Sequence, residues 1–392
     1  ERAGHRVTLA LPNDPEDARG VPENAAVVQI EPFGLGAQAE GHDWVLLHAH
    51  LGNHYLLQRD DLPVVVDLYD PFLVDNLSYW RDLGLEPYRN DHATWRLQLA
   101  KGDFFLCSSE EQRAYYLGWL TALGRVNPPI VEADPDLRRL IDVLPFGVPD
   151  GDPPPPPPRE ELLPGCEGPV LYFGGIYDWY DPEIVLEALP AILEVHPGAT
   201  VVFVHHPHPD ITPQSAAGRT HETARQRGWL GTAVRFEHWR PGAERFVLPQ
   251  LADLAVVTHR PGLEALLSLR TRLVDLLWLG VPVIATEGGA MSRVLRETGA
   301  GVLVPPGDAA RLAEAVLGLL ADPKRRGAAA RAGRTWAAGR RWEQVAEPLL
   351  RFAEAPWRDP YRTAAEVELE EPQIDDSIAQ RLMRRLGRWR RR

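Results

Sequence analysis

Cysteine, lysine and long apolar runs are all scarce in this chain. Cys107 and Cys166 are the only cysteines, which excludes a disulfide framework and a cysteine-based zinc site. Each reads as a small core residue. No apolar run reaches the roughly 18 residues that a membrane-spanning helix needs. Lys101 and Lys324 are the only lysines, and a net charge of −13 argues against nucleic acid as the main partner. There is no Walker loop and no His-Glu-x-x-His, and Gly34-Leu-Gly36 lacks the third glycine and the helix pattern of a dinucleotide fingerprint. Dehydrogenase and P-loop chemistry are thereby disfavoured.

What is present is ordinary globular composition, 44% hydrophobic and 25% charged, over 392 residues. That length suits two domains rather than one. Residues 1–149 alternate continuous apolar runs (6–11, 25–30, 44–48, 64–68, 104–107, 141–144) with helical stretches at 72–83, 92–100 and 110–123. Continuous rather than alternating apolar strands predict a parallel sheet covered on both faces. The opening Glu1–Pro12 reads as a helix end, a glycine stop and a strand, so the first strand of this domain is expected to be missing. Residues 150–160 hold six consecutive prolines, a semi-rigid polyproline linker in which Asp150 and Asp152 read as loop residues. Residues 161–340 repeat the alternation, with strands at 170–173, 200–204, 234–237, 254–258, 281–285 and 302–304. The fold class is therefore α/β, two Rossmann-like doubly wound domains facing a central cleft. Residues 341–360 read as a helix able to pack back on the first domain. Residues 361–392 form a tail with six acids over 366–376, then seven arginines over Ser377–Arg392. In that last stretch Ile378, Leu382, Leu386 and Trp389 recur at helical spacing, the pattern of a basic amphipathic helix.

The most informative stretch runs from Ser268 to Gly289: a loop entering a helix, Gly280 as its stop, a buried strand, then Glu287-Gly288-Gly289 before a second helix. Two helix N-termini directed at one place make an anion site. Arg270 and Arg272 add fixed positive charge beside it. Asp275, about one turn inside the helix, can accept hydrogen bonds from a ribose diol. His205, His206 and His208 follow one strand and His259 a neighbouring one, which suits lining of strand ends or loop polarity better than a metal site.

This stretch resembles the donor-site signature of GT-B glycosyltransferases, in particular glycosyltransferase family four, the group-one type. Gly41–His50, Cys107–Arg113, Val143–Asp150, Gly174–Asp181 and Gly301–Asp308 are similar to further motifs of that family, in the right order over roughly residues 5 to 355. Within it the chain looks closest to bacterial enzymes of cell-surface polysaccharide synthesis. The resemblance implies a cytoplasmic enzyme, peripheral on the inner face of the membrane, that takes sugar from a nucleotide-diphosphate sugar to a glycan or lipid-linked acceptor. It also implies retention of configuration and no metal. Donor contacts are expected from Gly174, Gly175, Tyr177, Trp179, His259, Glu264, Ser268, Leu269, Arg270, Thr271, Arg272, Asp275, Glu287, Gly288 and Gly289. Catalytic roles are expected at His48, His50, Tyr69 and Asp70, beside Asp67.

The chain departs from the family pattern at several positions. Leu267 stands where the family has the first of two acids eight apart, with Glu264 nearby as a substitute. Gly175 and Tyr180 replace two basic residues that hold the diphosphate, and Tyr69 replaces a histidine. These departures keep open a catalytically silent GT-B subunit as a competing reading, and a nucleotide-sugar epimerase of the same fold as a third.

For the tail, each basic residue near an anionic surface contributes about 1 kcal/mol. Co-sedimentation with anionic liposomes is expected for the full chain and is expected to be lost without residues 377–392; equal sedimentation of both forms would exclude the tail as an anchor.

Overall fold

The computed structural model describes residues 3–12, 14–15, 21, 25–30, 34–59, 61–206 and 212–362. His208, the acidic run 366–376 and Ser377–Arg392 lie outside the described residues.

Among the described residues twelve parallel strands make up the sheets. In the N-terminal half β1 (Thr8–Leu11) pairs with β2 (Ala26–Gln29), while β3 (Val45–His48), β4 (Val64–Asp67), β5 (Phe104–Cys107) and β6 (Ile141–Val143) form a separate four-stranded sheet in that order. The alternation of side chains explains why these strands carry no polar face. Val64, Val66 and Phe105 meet Tyr55, Trp95, Tyr116 and Leu120 from the helices on one side. Val65, Phe104 and Leu106 are covered on the other side by Phe352, from helix Glu347–Glu354. Phe352 stacks on Phe104 at 5.5 Å and 10°.

The C-terminal sheet has the order β12-β11-β10-β7-β8-β9, formed by β7 (Val170–Gly175), β8 (Thr200–Val204), β9 (Val234–Glu237), β10 (Leu254–Val257), β11 (Val283–Thr286) and β12 (Gly301–Val304). The chain winds outward from β7 in both directions, so a crevice opens at the carboxyl ends of β7 and β10. The loops leaving those two strands, and the loop leaving β11, carry the donor-side residues named above.

Local structure differs from the sequence prediction in places with a physical cause. The single helix expected over 72–83 is broken into Phe72–Asp75, a 3-10 turn Asn76–Tyr79 and Trp80–Leu83. Ser78 Oγ donates to Asp75 O at 2.9 Å, the local competition that weakens helices at serine and asparagine. A one-turn helix, Leu35–Gln38, opens after Gly34, where none was predicted. Helices Leu51–Gln58 and Leu263–Leu267 were also illegible, being short and without a side-chain cap.

After crossing back to the first domain, the chain is fastened by buried ion pairs. Arg125 donates to Asp359 at 2.6 Å and Arg362 to Asp103 at 2.7 Å. Arg125 also donates to the carbonyls of Leu99, Ala100 and Gly102. Removing one partner of such a pair leaves a buried charge uncompensated, which costs roughly 3–5 kcal/mol. Asp359→Ala is therefore expected to lower unfolding stability by about that amount in urea titration; a loss under ~1 kcal/mol would show that the segment is not anchored there.

Candidate active site

On the donor side the site is built around two arginines and the face of Tyr180. Arg270 immediately precedes helix Thr271–Leu279 and is only 8% exposed. Its Nε donates to His259 Nε2 at 3.0 Å, and its other end forms an ion pair with Glu264. Its guanidinium lies 5.1 Å over the ring of Tyr180 and 5.9 Å over that of Trp179. An arginine can only donate, so Nε2 of His259 must be the unprotonated nitrogen. Burial, then Arg270 and Arg272, hold the His259 pKa well below its ordinary value, and the neutral ring turns Nδ1 toward Thr286 Oγ1 at 3.3 Å. His259 thus fixes Arg270, and Tyr180 stacks on His259 at 5.2 Å from the other side.

Arg272 behaves differently from the expectation that it binds diphosphate. It donates to Phe173 O at 2.7 Å and Gly175 O at 2.6 Å, lying 4.6 Å over Tyr180. Its charge is engaged by the carbonyls that end β7, so it fixes the Gly174-Gly175 end of that strand. Gly174 has φ +85, and a Cβ there would approach Arg272 Cζ to 3.2 Å, so the loop requires glycine.

Asp275 sits one turn into its helix, 17% exposed at the side chain. Its Oδ2 accepts from Arg245 Nε at 3.4 Å, while Oδ1 is buried with no protein partner among the described residues. Burial, partly offset by Arg245, raises the pKa of this carboxyl. The helix itself has no side-chain cap, and the same holds for helix Gly289–Thr298. Leu273 N already donates to Arg270 O at 3.0 Å, while no side chain caps the other first-turn N–H groups of either helix. Gly289, at φ +51, lets this second turn press on the backbone carbonyls of Ala265 and Leu266, against which any Cβ would collide. Glu287 is exposed and pairs loosely with Arg296 at 3.8 Å. Tyr177 and Trp179 stack on each other at 4.7 Å and 8°, and Trp179 also meets Tyr79 of the first domain at 5.9 Å. Ser268 and Leu269 are buried where the two domains touch.

On the acceptor side the four expected catalytic residues meet different side-chain partners. Tyr69 donates its hydroxyl to Leu269 O across the cleft at 3.0 Å, and burial pushes its pKa above the ordinary range. In this structure the hydroxyl is an interdomain strut. Asp70 is exposed and is hydrogen-bonded to Asp75, which the sequence reading overlooked. Asp75 is 8% exposed, and burial first, then Asp70, push its pKa up to about 9. His48 lies 3.7 Å from Asp67, and His50 lies 2.7 Å from buried Asp91. Asp75, Arg81, Trp179, Arg260 and Glu264 line an interdomain cavity of about 500 Å³. Asp75 sits in an otherwise apolar segment, and that isolation is the one signal that singles it out.

Among the described residues no three His, Cys, Asp or Glu side chains gather as metal ligands, and no helix is long and apolar enough to cross a membrane. His205 lies 5.5 Å from Phe236 and 6.0 Å from His238, packed among rings rather than acids.

Parallel α/β sheets in two domains on either side of one cleft are the arrangement of the GT-B fold. Anabaena HepE in complex with UDP-glucose has this fold, at a TM-score of 0.64 and 16% identity over 89% of this chain and 91% of that one. Sucrose-phosphate synthase from Thermosynechococcus elongatus gives a TM-score of 0.65 at 18% identity over 90% and 89%. Within the fold, residues 168–322 match the family model of group 1 glycosyl transferases. A phosphatidyl-myo-inositol mannosyltransferase from Mycobacterium leprae is 28% identical over 191 residues, 48% of this chain and 46% of that protein. A D-inositol 3-phosphate glycosyltransferase from Segniliparus rotundus is 29% identical over 228 residues, 56% and 47%. The chain thus spans about half the length of the curated relatives it matches.

An acid whose pKa is raised on folding keeps its proton in the folded chain at a pH where the unfolded chain has lost it. Its contribution therefore falls as pH rises from the ordinary 3.8 toward about 9. Asp75→Asn is expected to flatten that decline and to stabilise the chain at pH 8 by roughly 1–3 kcal/mol. Urea titrations at pH 5 and pH 8 check this, and an unchanged slope between them would place the proton elsewhere.

Proposed function

We propose that this chain is a GT-B glycosyltransferase that transfers a sugar from a nucleotide-diphosphate sugar to a glycan or lipid-linked acceptor, with retention of configuration. The observation that carries the reading is Asp275: a buried carboxylate oxygen without a protein partner among the described residues, one turn inside a helix with no side-chain cap, at the crevice between β7 and β10. In this reading Asp275 accepts from the ribose diol, and the diphosphate lies against the starts of helices Thr271–Leu279 and Gly289–Thr298. Arg270 is neutralised by Glu264 in the free site. On donor entry the diphosphate becomes its counter-ion, and Glu264 turns to the sugar hydroxyls. The charge that grows on the leaving diphosphate is then met by fixed dipoles and one guanidinium, without a metal ion.

The curated relatives act, by name, on phosphatidyl-myo-inositol and D-inositol 3-phosphate. The first of these supports the lipid-linked arm of the proposal. We place the activity in bacterial cell-surface polysaccharide synthesis, in the cytoplasm and peripheral to the inner face of the membrane. The competing reading is a silent subunit. It is favoured by Leu267, which occupies the position of the first acid and is buried in the core of the other domain.

Thermal shift with UDP, GDP, dTDP, ADP and CDP separates the two. One diphosphate at ~100 times its Kd is expected to stabilise the chain by about 2.7 kcal/mol, and Asp275→Ala to abolish the response. A folded chain that responds to none of the five would favour the silent subunit.

A further inference from the structure

Arg245 is a cation that the fold brings to the donor crevice and then leaves largely unengaged. It belongs to the 3-10 turn Gly242–Phe246, which follows β9. Two successive residues of that turn grip helix Thr271–Leu279. Arg245 Nε donates to Asp275 Oδ2 at 3.4 Å, and the ring of Phe246 meets that of Trp278 at 4.9 Å and 68°. Asp275 and Trp278 are three apart in the helix and so share one face. Phe246 is 4% exposed, and the Arg245 guanidinium lies 4.2 Å from the centre of its ring. A buried aromatic pair thus fixes the turn, and the guanidinium is held between a ring and a carboxylate.

The bonding of this guanidinium is far from complete. An arginine carries five N–H donors in a planar fork. Among the described residues only Nε of Arg245 has an acceptor, at the long end of hydrogen-bond range, and the side chain is 41% exposed. Nη1 and Nη2 therefore remain able to donate. The other two guanidinium groups at this corner differ: Arg270 is buried against His259 and Glu264, and Arg272 is bonded to two carbonyls.

Charge balance makes the difference matter. The crevice holds two carboxylates, Glu264 and Asp275, before any nucleotide enters. Each phosphate adds negative charge, and like charges brought together in a partly buried crevice repel unless cations meet them. Arg270 serves the diphosphate from the start of the helix. A ribose whose diol meets Asp275 carries its own phosphate one carbon off the same ring. That phosphate lies within reach of a side chain already bonded to Asp275.

We propose that Arg245 binds the phosphate next to the ribose, with Nη1 and Nη2 donating to its oxygens while Nε stays on Asp275. The inference rests on the glycosyltransferase reading for the identity of the ligand. One guanidinium then bridges the acid that holds the ribose and the first phosphate, so the site favours nucleotides over free nucleosides.

Calorimetric titration of the full chain with UDP, GDP, dTDP, ADP and CDP, then with the monophosphate and the nucleoside of the base that binds, tests this. Arg245→Ala is expected to raise the Kd of both the mono- and the diphosphate about 10-fold and to leave that of the nucleoside within about 2-fold. Arg245→Gln keeps the length and an N–H donor without the charge, and is expected to match alanine. An equal loss for nucleoside and nucleotide would make Arg245 a support of Asp275 and overturn the inference. So would a loss confined to the diphosphate, or wild-type nucleotide Kd values in either variant. The transfer reading survives those outcomes, because the wild type binds in each of them. A wild type that binds none of the five diphosphates would overturn the transfer reading and the inference together.

Discussion

The cleft depends on one buried cation. Arg270 is enclosed by His259, Tyr180, Trp179 and Glu264, and it orders each of them. His259 must be neutral with a bare Nε2 because the guanidinium donates to it, and Glu264 stays in the cleft because its counter-charge is there. Burying a guanidinium is costly unless it is paired. Here the pairing partners come from the loops leaving β7 and β10 and from helix Leu263–Leu267, so the cation welds the switch-point crevice into one piece. Arg272 extends the same logic to the end of β7 through two carbonyls.

A second constraint is the way the two domains interlock. Leu267 is buried in the core of the first domain, Tyr69 donates to Leu269, and Arg293 pairs with Glu111 at 2.9 Å. The helix after β10 is thus a wedge between the sheets, with Leu267 as its apolar contact to the first domain. The chain then returns through Phe352 and Asp359 to cover the first sheet.

Much of this was legible in advance. Continuous apolar runs such as Val64-Val65-Val66 specify a strand covered on both faces, whatever covers it. The Ser268–Gly289 stretch, with Gly280 as stop and Gly288-Gly289 before a helix, marks a helix-strand-helix corner through backbone geometry alone. The break at 76–83 was not legible, since the helical pattern of Phe72–Leu83 outweighs the local bonds of Ser78. Neither was the role of Tyr69, whose hydroxyl finds its partner 200 residues away.

By itself, then, the sequence determined the α/β class with its continuous apolar strands and the glycine-marked corner that holds Asp275. These features rest on short-range periodicity and backbone freedom. Only the tertiary structure decided which charged groups meet: Arg270 with Glu264, Arg272 with the end of β7, Asp70 with Asp75, and His50 with Asp91. Side-chain electrostatics depends on burial and on distances of a few ångströms between residues far apart in the chain, and no spacing rule along a sequence carries that information.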